Sequence, residues 1–262
     1  MKISVAMITF NEEKILRKTL ESVKGLADEI VIVDSGSTDA TKSIAEEFGA
    51  KFYIESWKGY GPQRNLAIEK CKNEWILNID ADEEISKELK KKIIEITSDI
   101  NNKKEIFKIN RLSVCFGKQI KHGGWGTSYA IRLFKKGSGK FNDNIVHEEF
   151  KANKEIFKIK ENIYHHSYLT MEDYFNRFNR YTTEGAKDYY KKNKKVSILD
   201  IVVNPIYKFL KMYIFRLGFL DGIEGFVIAS TSSMYSMIKY FKLREMYKNG
   251  SYLQKNNNSK NG

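Results

Sequence analysis

Glu74-Trp75-Ile76-Leu77-Asn78-Ile79-Asp80-Ala81-Asp82-Glu83 is the stretch on which the fold turns. Trp75 to Ile79 is a short, mostly apolar run of the kind that forms a strand buried on both faces. The chain leaves it through two carboxylates at i and i+2, which project to the same side of an extended segment. One of the two can bind a hard divalent cation, and the other can reach a ribose hydroxyl or a metal-bound water. Asp-x-Asp alone is common in solvated loops; its place directly after a buried strand is what gives it weight.

Upstream, the same grammar recurs. Ile3–Thr9 and Ile30–Val33 are β-branched apolar runs, followed by Thr9-Phe10-Asn11 and Asp34-Ser35-Gly36-Ser37. Between them Ile15, Leu16, Leu20 and Val23 recur at helical spacing, with Asn11 placed to cap and Gly25 to stop. Ser37 or Thr38 is expected to cap a second helix that ends near Gly49. Lys51–Ile54 reads as a strand, Gly59–Pro62 as a turn, Gln63–Cys71 as a helix, and Leu89–Ile96 as another. Strands and helices alternating at short intervals predict a parallel α/β sheet of nucleotide-binding type, whose ligands lie beyond the carboxyl ends of the strands. All three polar clusters fall at such ends. A carboxylate at Asp34 could accept a hydrogen bond from a nucleobase N–H, and helix-opening amides after it favour anions.

Downstream, residues 105–165 break into short strands and Gly-rich turns, which suits an antiparallel extension of the sheet. From about 170 the chain is helical, with Ser197–Ile238 long and aromatic and punctuated by Gly218, Gly222 and Gly225. The expected organisation is an α/β domain over 1–168, divided into a nucleotide-binding half (1–100) and an extension half (101–168). A helical region over 169–248 and a disordered tail over 249–262 follow.

The net charge of +12 is unevenly placed: residues 1–150 carry 25 Lys/Arg against 23 Asp/Glu, residues 151–262 carry 20 against 10. A basic excess can serve nucleic acid, an anionic membrane or an anionic acceptor. No helix-turn-helix or RNA-recognition pattern accompanies it, so nucleic acid is not expected as a partner. Two cysteines, Cys71 and Cys115, argue against a disulfide framework, and no secretory signal or 18-residue apolar stretch is present. A cytoplasmic protein is the expectation. Basic, aromatic-rich segments around Lys208, Lys211 and Arg216 would either lie on the inner face of an anionic membrane, pack as a lid, or form a dimer face.

Val5-Ala6-Met7-Ile8-Thr9-Phe10-Asn11-Glu12-Glu13, Ile32-Val33-Asp34-Ser35-Gly36-Ser37-Thr38-Asp39 and Ile79-Asp80-Ala81-Asp82-Glu83 resemble, in order and spacing, the signature blocks of family-2 inverting glycosyltransferases of the GT-A fold. Gly61-Pro62-Gln63-Arg64-Asn65-Leu66-Ala67 matches as well. Val146-His147-Glu148 and His165-His166-Ser167-Tyr168 resemble the lipopolysaccharide core glucosyltransferases of Gram-negative bacteria. The resemblance covers roughly residues 1–245. It implies that Thr9, Asn11, Glu12 and Asp34, with Ser35 and Gly36, hold the nucleotide. Asp80 would contact ribose or diphosphate, Asp82 would bind Mn²⁺ or Mg²⁺, and Arg64 would support the diphosphate or orient Asp34. His165 or His166 would add a metal ligand, His165 matching the family position.

An inverting transfer needs a base for the acceptor hydroxyl. Glu148 is the candidate, with Glu149 as the fallback and His147 as a residue that could orient it. Trp125 can stack on a sugar and Arg132 can pair with an anionic acceptor; both could equally brace the extension. The implied reaction moves a hexose, glucose first, from a UDP-sugar to a lipopolysaccharide inner-core sugar. The alternative is another lipid-linked or capsule acceptor.

Overall fold

Ile3–Thr9 (β1) is buried at six of its seven positions, as a strand covered on both faces must be. The computed structural model describes residues 2–143 and 148–258. After β1 come α1 (Leu16–Val23), β2 (Glu29–Asp34), α2 (Thr41–Glu47), β3 (Lys51–Ile54), α3 (Tyr60–Lys70), β4 (Trp75–Asn78), β5 (Glu83–Ile85) and α4 (Lys87–Ser98). Then follow β6 (Ile106–Cys115), β7 (Lys118–Gln119), β8 (Thr127–Lys135), β9 (Gly139–Phe141), β10 (Phe150–Ala152) and β11 (Ile156–Tyr168). The last elements are α5 (Met171–Lys191), α6 (Ile198–Leu210) and α7 (Gly222–Asn258). The chain forms two compact units, one of residues up to 112 with 127–167, the other of 113–126 with everything from 168.

The first unit is a mixed sheet in the order β3-β2-β1-β4-β8-β6-β11-β5. β1 pairs in parallel with β2 and β4, and β2 with β3, while β8 joins β4 antiparallel and extends the sheet. Alternation along the strands splits the core into two faces. Val5, Met7, Trp75 and Leu77 meet Leu16, Leu20, Leu89 and Ile93 on one side. Ala6, Val31, Val33 and Ile76 meet Ala67 and Ile68 of α3 on the other. Sequential parallel strands place the ends of β1, β2 and β4 along one edge, which is how three separated polar clusters become neighbours.

Three local expectations fail. Neither Ser37 nor Thr38 caps α2, whose N-cap is Ala40, and α1 opens at Ile15 with no side-chain cap. Ser37 and Asn11 have other partners, described below. α3 starts at Tyr60, three residues ahead of the expected helix, because Pro62 is tolerated in a first turn. Gly61 is there because the carbonyl oxygen of Asn142 occupies the space a β-carbon would need. Gly61→Ala is therefore expected to cost about 1–3 kcal/mol through backbone displacement, read as a lowered denaturation midpoint.

The second unit packs Cys115, Ile120, Met212, Ile228 and Ala229 with Trp125, Tyr168 and Phe209. Thr170 caps α5, and Ser197 with Asp200 forms a capping box on α6. The long helical run expected over 197–238 is broken by a π-helical turn at Lys211–Phe215 and a 3₁₀ turn at Gly218–Asp221. Residues 249–258 continue α7 as helix, where the sequence suggests a structureless tail; 259–262 lie outside the described residues. Cys71 and Cys115 are buried and free, and desolvation pushes both thiols up to about 12. Among the described residues no helix is long and apolar enough to cross a membrane.

Candidate active site

Thr9 and Asp34 are register partners at the ends of β1 and β2. The Thr9 hydroxyl donates to Asp34 Oδ2 at 2.7 Å, and the Ser37 hydroxyl donates to the same oxygen at 2.6 Å. The backbone amides of Gly36 and Ser37 donate to Asp34 Oδ1 at 2.9 and 2.6 Å. Those four bonds use the acceptor sites of a carboxylate that is 1% exposed. Asp34 thus braces its own loop, and a base N–H could reach it only in exchange for one of these donors. Asn11, at φ 54°, accepts from the Thr38 amide at 2.9 Å while its own amide donates to Ser37 Oγ. The amide of Glu12 donates to Thr41 Oγ1 at 2.8 Å, so the two strand-end loops form one rigid rim. Ser35 is half-buried beside Gln63, whose side-chain amide donates to Ser35 Oγ at 3.4 Å.

Beyond β4 lies a charged cluster. Arg64, from α3, brings Nη2 within 2.5 Å of Asp80 Oδ1. Arg132, from β8, donates to Asp80 Oδ2 at 2.6 Å and to Glu83 Oε1 at 2.8 Å. Arg111, from β6, places Nε 2.5 Å from the same Glu83 oxygen, and Glu83 Oε2 accepts from the Asp80 amide at 2.9 Å. Burial would raise the Asp80 pKa, but Arg132, Arg64 and Arg111 together hold it well below the ordinary carboxylate range. Asp80 and Glu83 raise the Arg132 value in return, against the effect of its own burial.

Arg64 also contacts Asn78 Oδ1 at 3.2 Å and Glu148 Oε1 at 3.5 Å. The donor candidate Arg64 and the base candidate Glu148 therefore meet through one guanidinium. Nε of Arg64 and of Arg132 are buried donors with no partner among the described residues. His147 lies outside the described residues.

Asp82 and His165 converge as well. His165 Nε2 stands 3.4 Å from Asp82 Oδ2, while its Nδ1 lies 2.9 Å from Ser167 Oγ. His166 points to the other side of β11 and contacts Glu84 Oε2 at 2.9 Å, so strand alternation separates the pair. An Nδ1–H bond to Ser167 would leave Nε2 free to ligate, with a carboxylate beside it. The Asp82 carboxylate would suit either Mn²⁺ or Mg²⁺, and the His165 imidazole beside it would favour the softer Mn²⁺ over Mg²⁺. Among the described residues no cluster of three His, Cys, Asp or Glu side chains forms a closed metal site.

Sequence reasoning did not find Glu83, Arg111, Asn78 or Ser37. Charged residues inside the apolar runs of β6 and β8 were the available signal, since a charge in a buried strand requires a partner. Arg132 is 4% exposed, and its Nη2 engages both Asp80 and Glu83 while its Nε has no partner among the described residues. Trp125 sits in the second unit, half-buried, with its ring 5.9 Å from that of Tyr168.

The family model for glycosyl transferase family 2 matches residues 4–152. An uncharacterized glycosyltransferase of Rickettsia typhi is 35% identical over 255 residues, covering 94% of this chain and 87% of the relative. The lipopolysaccharide core biosynthesis glycosyltransferase LpsC of Rhizobium meliloti is 29% identical over 257 residues, covering 94% and 93%. Among solved structures, S. aureus TarS 1–349 in complex with UDP shares 16% identity at a TM-score of 0.44, over 95% of this chain and 92% of that one. With a family model spanning more than half its length and a relative 35% identical over 94% of it, this chain belongs to glycosyl transferase family 2 and is a glycosyltransferase.

Proposed function

We propose that the enzyme moves a hexose, glucose on our reading, from a UDP-linked donor to a sugar of the lipopolysaccharide core, by metal-assisted single displacement with inversion. The observation that carries this is the strand-end arrangement in which Asp80 is clamped by Arg64 and Arg132 while Asp82 faces His165. Identity to LpsC along nearly the whole chain supports the acceptor class.

On this reading the rim of Thr9, Asn11, Glu12, Asp34, Ser35 and Gly36 receives the nucleoside, and Asp80 is presented in its charged form to ribose or diphosphate. Asp82 and His165 would hold the divalent cation, which neutralises charge developing on the departing diphosphate. The buried, unpartnered Nε donors of Arg64 and Arg132 suit an anionic ligand. Glu148 takes the proton of the acceptor hydroxyl as its oxygen bonds to the anomeric carbon and the bond to the diphosphate breaks. The acceptor is lipid-borne, and the enzyme works at the inner face of an anionic membrane.

The test is thermal denaturation with UDP, GDP, CMP or TDP, each with and without Mn²⁺. A nucleotide at about 100 times its dissociation constant stabilises by about 2.7 kcal/mol. We expect that shift with UDP and Mn²⁺ together, and its loss in Asp82→Ala. An undiminished shift in Asp82→Ala would remove Asp82 from the metal site, and no shift with any nucleotide would overturn the donor assignment.

A further inference from the structure

Between Ile201 and Leu220 the chain has three basic residues (Lys208, Lys211, Arg216) and no acidic one. Much of its surface is also apolar. Ile214, Phe215, Leu217, Phe219, Leu220 and Ile223 are 49, 74, 46, 46, 57 and 78% exposed. α6 leads into it with Ile198, Val202 and Ile206 outward, one turn apart along a single face. Contiguous large side chains on this scale are disfavoured in water unless something covers them.

The tip that carries them is held rigidly. After the π-helical turn, Leu217 adopts φ 58°, a left-handed conformation that a branched side chain seldom takes and that surrounding contacts must hold in place. The Arg216 carbonyl accepts from the Gly123 amide at 2.9 Å, and its own amide donates to Lys211 O at 2.9 Å. Asp221 closes the turn from below: its carboxylate accepts from the amides of Lys121 and His122 and contacts His122 Nδ1 at 3.0 Å. That carboxylate is 5% exposed, so it adds no negative charge to the surface. The Arg216 side chain lies over Gly124, in space that a β-carbon there would fill. Arg216 is exposed and forms no ion pair among the described residues.

We propose that the 214–223 tip and the outward face of α6 form an interfacial anchor that seats in an anionic phospholipid surface. The six apolar side chains of the tip enter the boundary between headgroups and acyl chains, and Arg216, flanked by Phe215 and Leu217, meets a lipid phosphate. Apolar area combined with unopposed basic charge is what interfacial binding requires, and among the described residues no helix is long and apolar enough to cross a membrane. This rests on the reading of a lipid-borne acceptor and assigns the residues that would bring the enzyme to it.

The experiment is co-sedimentation of the full chain with phosphatidylcholine vesicles, with and without phosphatidylglycerol, in nucleotide-free buffer. Wild type should pellet with the anionic vesicles and be released by salt. Phe215→Ser combined with Ile223→Ser should weaken partitioning at least about tenfold. Arg216→Gln should weaken it roughly fivefold on anionic vesicles only. Both substituted apolar sites are largely solvent-exposed, so an unchanged thermal midpoint certifies the fold of the variant. Wild type remaining in the supernatant with both vesicles would overturn the proposal. So would the double variant pelleting like wild type, or a wild-type dimer that the double variant dissolves without any vesicle binding. Nucleotide plays no part in this readout, so its failure leaves the donor-site test standing, and the reverse holds.

Discussion

Glu148→Gln is expected to retain nucleotide binding and to lose sugar transfer by about 10²–10⁴-fold, the usual contribution of a positioned general base. Glutamine preserves the volume of the side chain and an oxygen for Arg64 Nη2, which lies 3.5 Å from Glu148 in the wild type. What it removes is the capacity to accept the proton of the acceptor hydroxyl. The thermal shift with UDP and Mn²⁺ should therefore persist while turnover collapses, and the loss should appear in kcat rather than in the donor KM. Glu149→Gln is the matched control. Glu149 is exposed, pairs with Lys151, and should leave turnover near wild type. If the two variants exchange phenotypes, the base is Glu149; if neither loses turnover, the proton goes elsewhere.

The contrast between those two residues illustrates what a sequence can disclose. Thr9, Asp34, Asp80 and Asp82 were legible because each follows a run of buried residues, and buried strands announce themselves by composition. Their convergence was legible too, since parallel strands share a carboxyl edge. Glu83 was not, because an acid after Asp-Ala-Asp reads as one more loop charge, although it is 0% exposed and held by two arginines. Arg111 and Arg132 reach it from β6 and β8, strands distant from it in sequence and brought beside each other by antiparallel pairing. Short-range patterns carry no record of such a meeting. Ser37 failed as a cap for a related reason: its hydroxyl donates to Asp34 and accepts from the Asn11 amide, a partner from the neighbouring loop, while the helix begins only at Thr41. His165 and His166 show the opposite case, in which period-two alternation alone predicts that only one of the pair joins Asp82. Choosing which one required the register of β11 against β5, where His165 stands opposite Glu83.

Arg132→Met should destabilise the protein by about 3 kcal/mol at neutral pH, toward the lower end for breaking a buried ion pair. Methionine fills comparable space, so the loss measures charge rather than cavity. It is limited because Arg111 still faces Glu83 and Arg64 still faces Asp80. The pH dependence is the sharper test. Because Asp80 titrates well below its ordinary value, its stabilising contribution is complete above the unfolded value near about pH 4 and is lost as acid approaches the folded value. Removing Arg132 takes away the largest of the charges that depress it, so the folded value moves back toward the unfolded one. The stability gap between wild type and Arg132→Met should then be widest at neutral pH and narrow as the medium is acidified below about 4. Urea midpoints measured across that range decide the matter. A residue that only touched the acceptor would raise the acceptor KM and leave both the midpoint and its pH profile unchanged. If the proposed donor site is right, replacing the residue that clamps Asp80 should also weaken the UDP–Mn²⁺ shift, because that carboxylate is the one proposed to meet the donor.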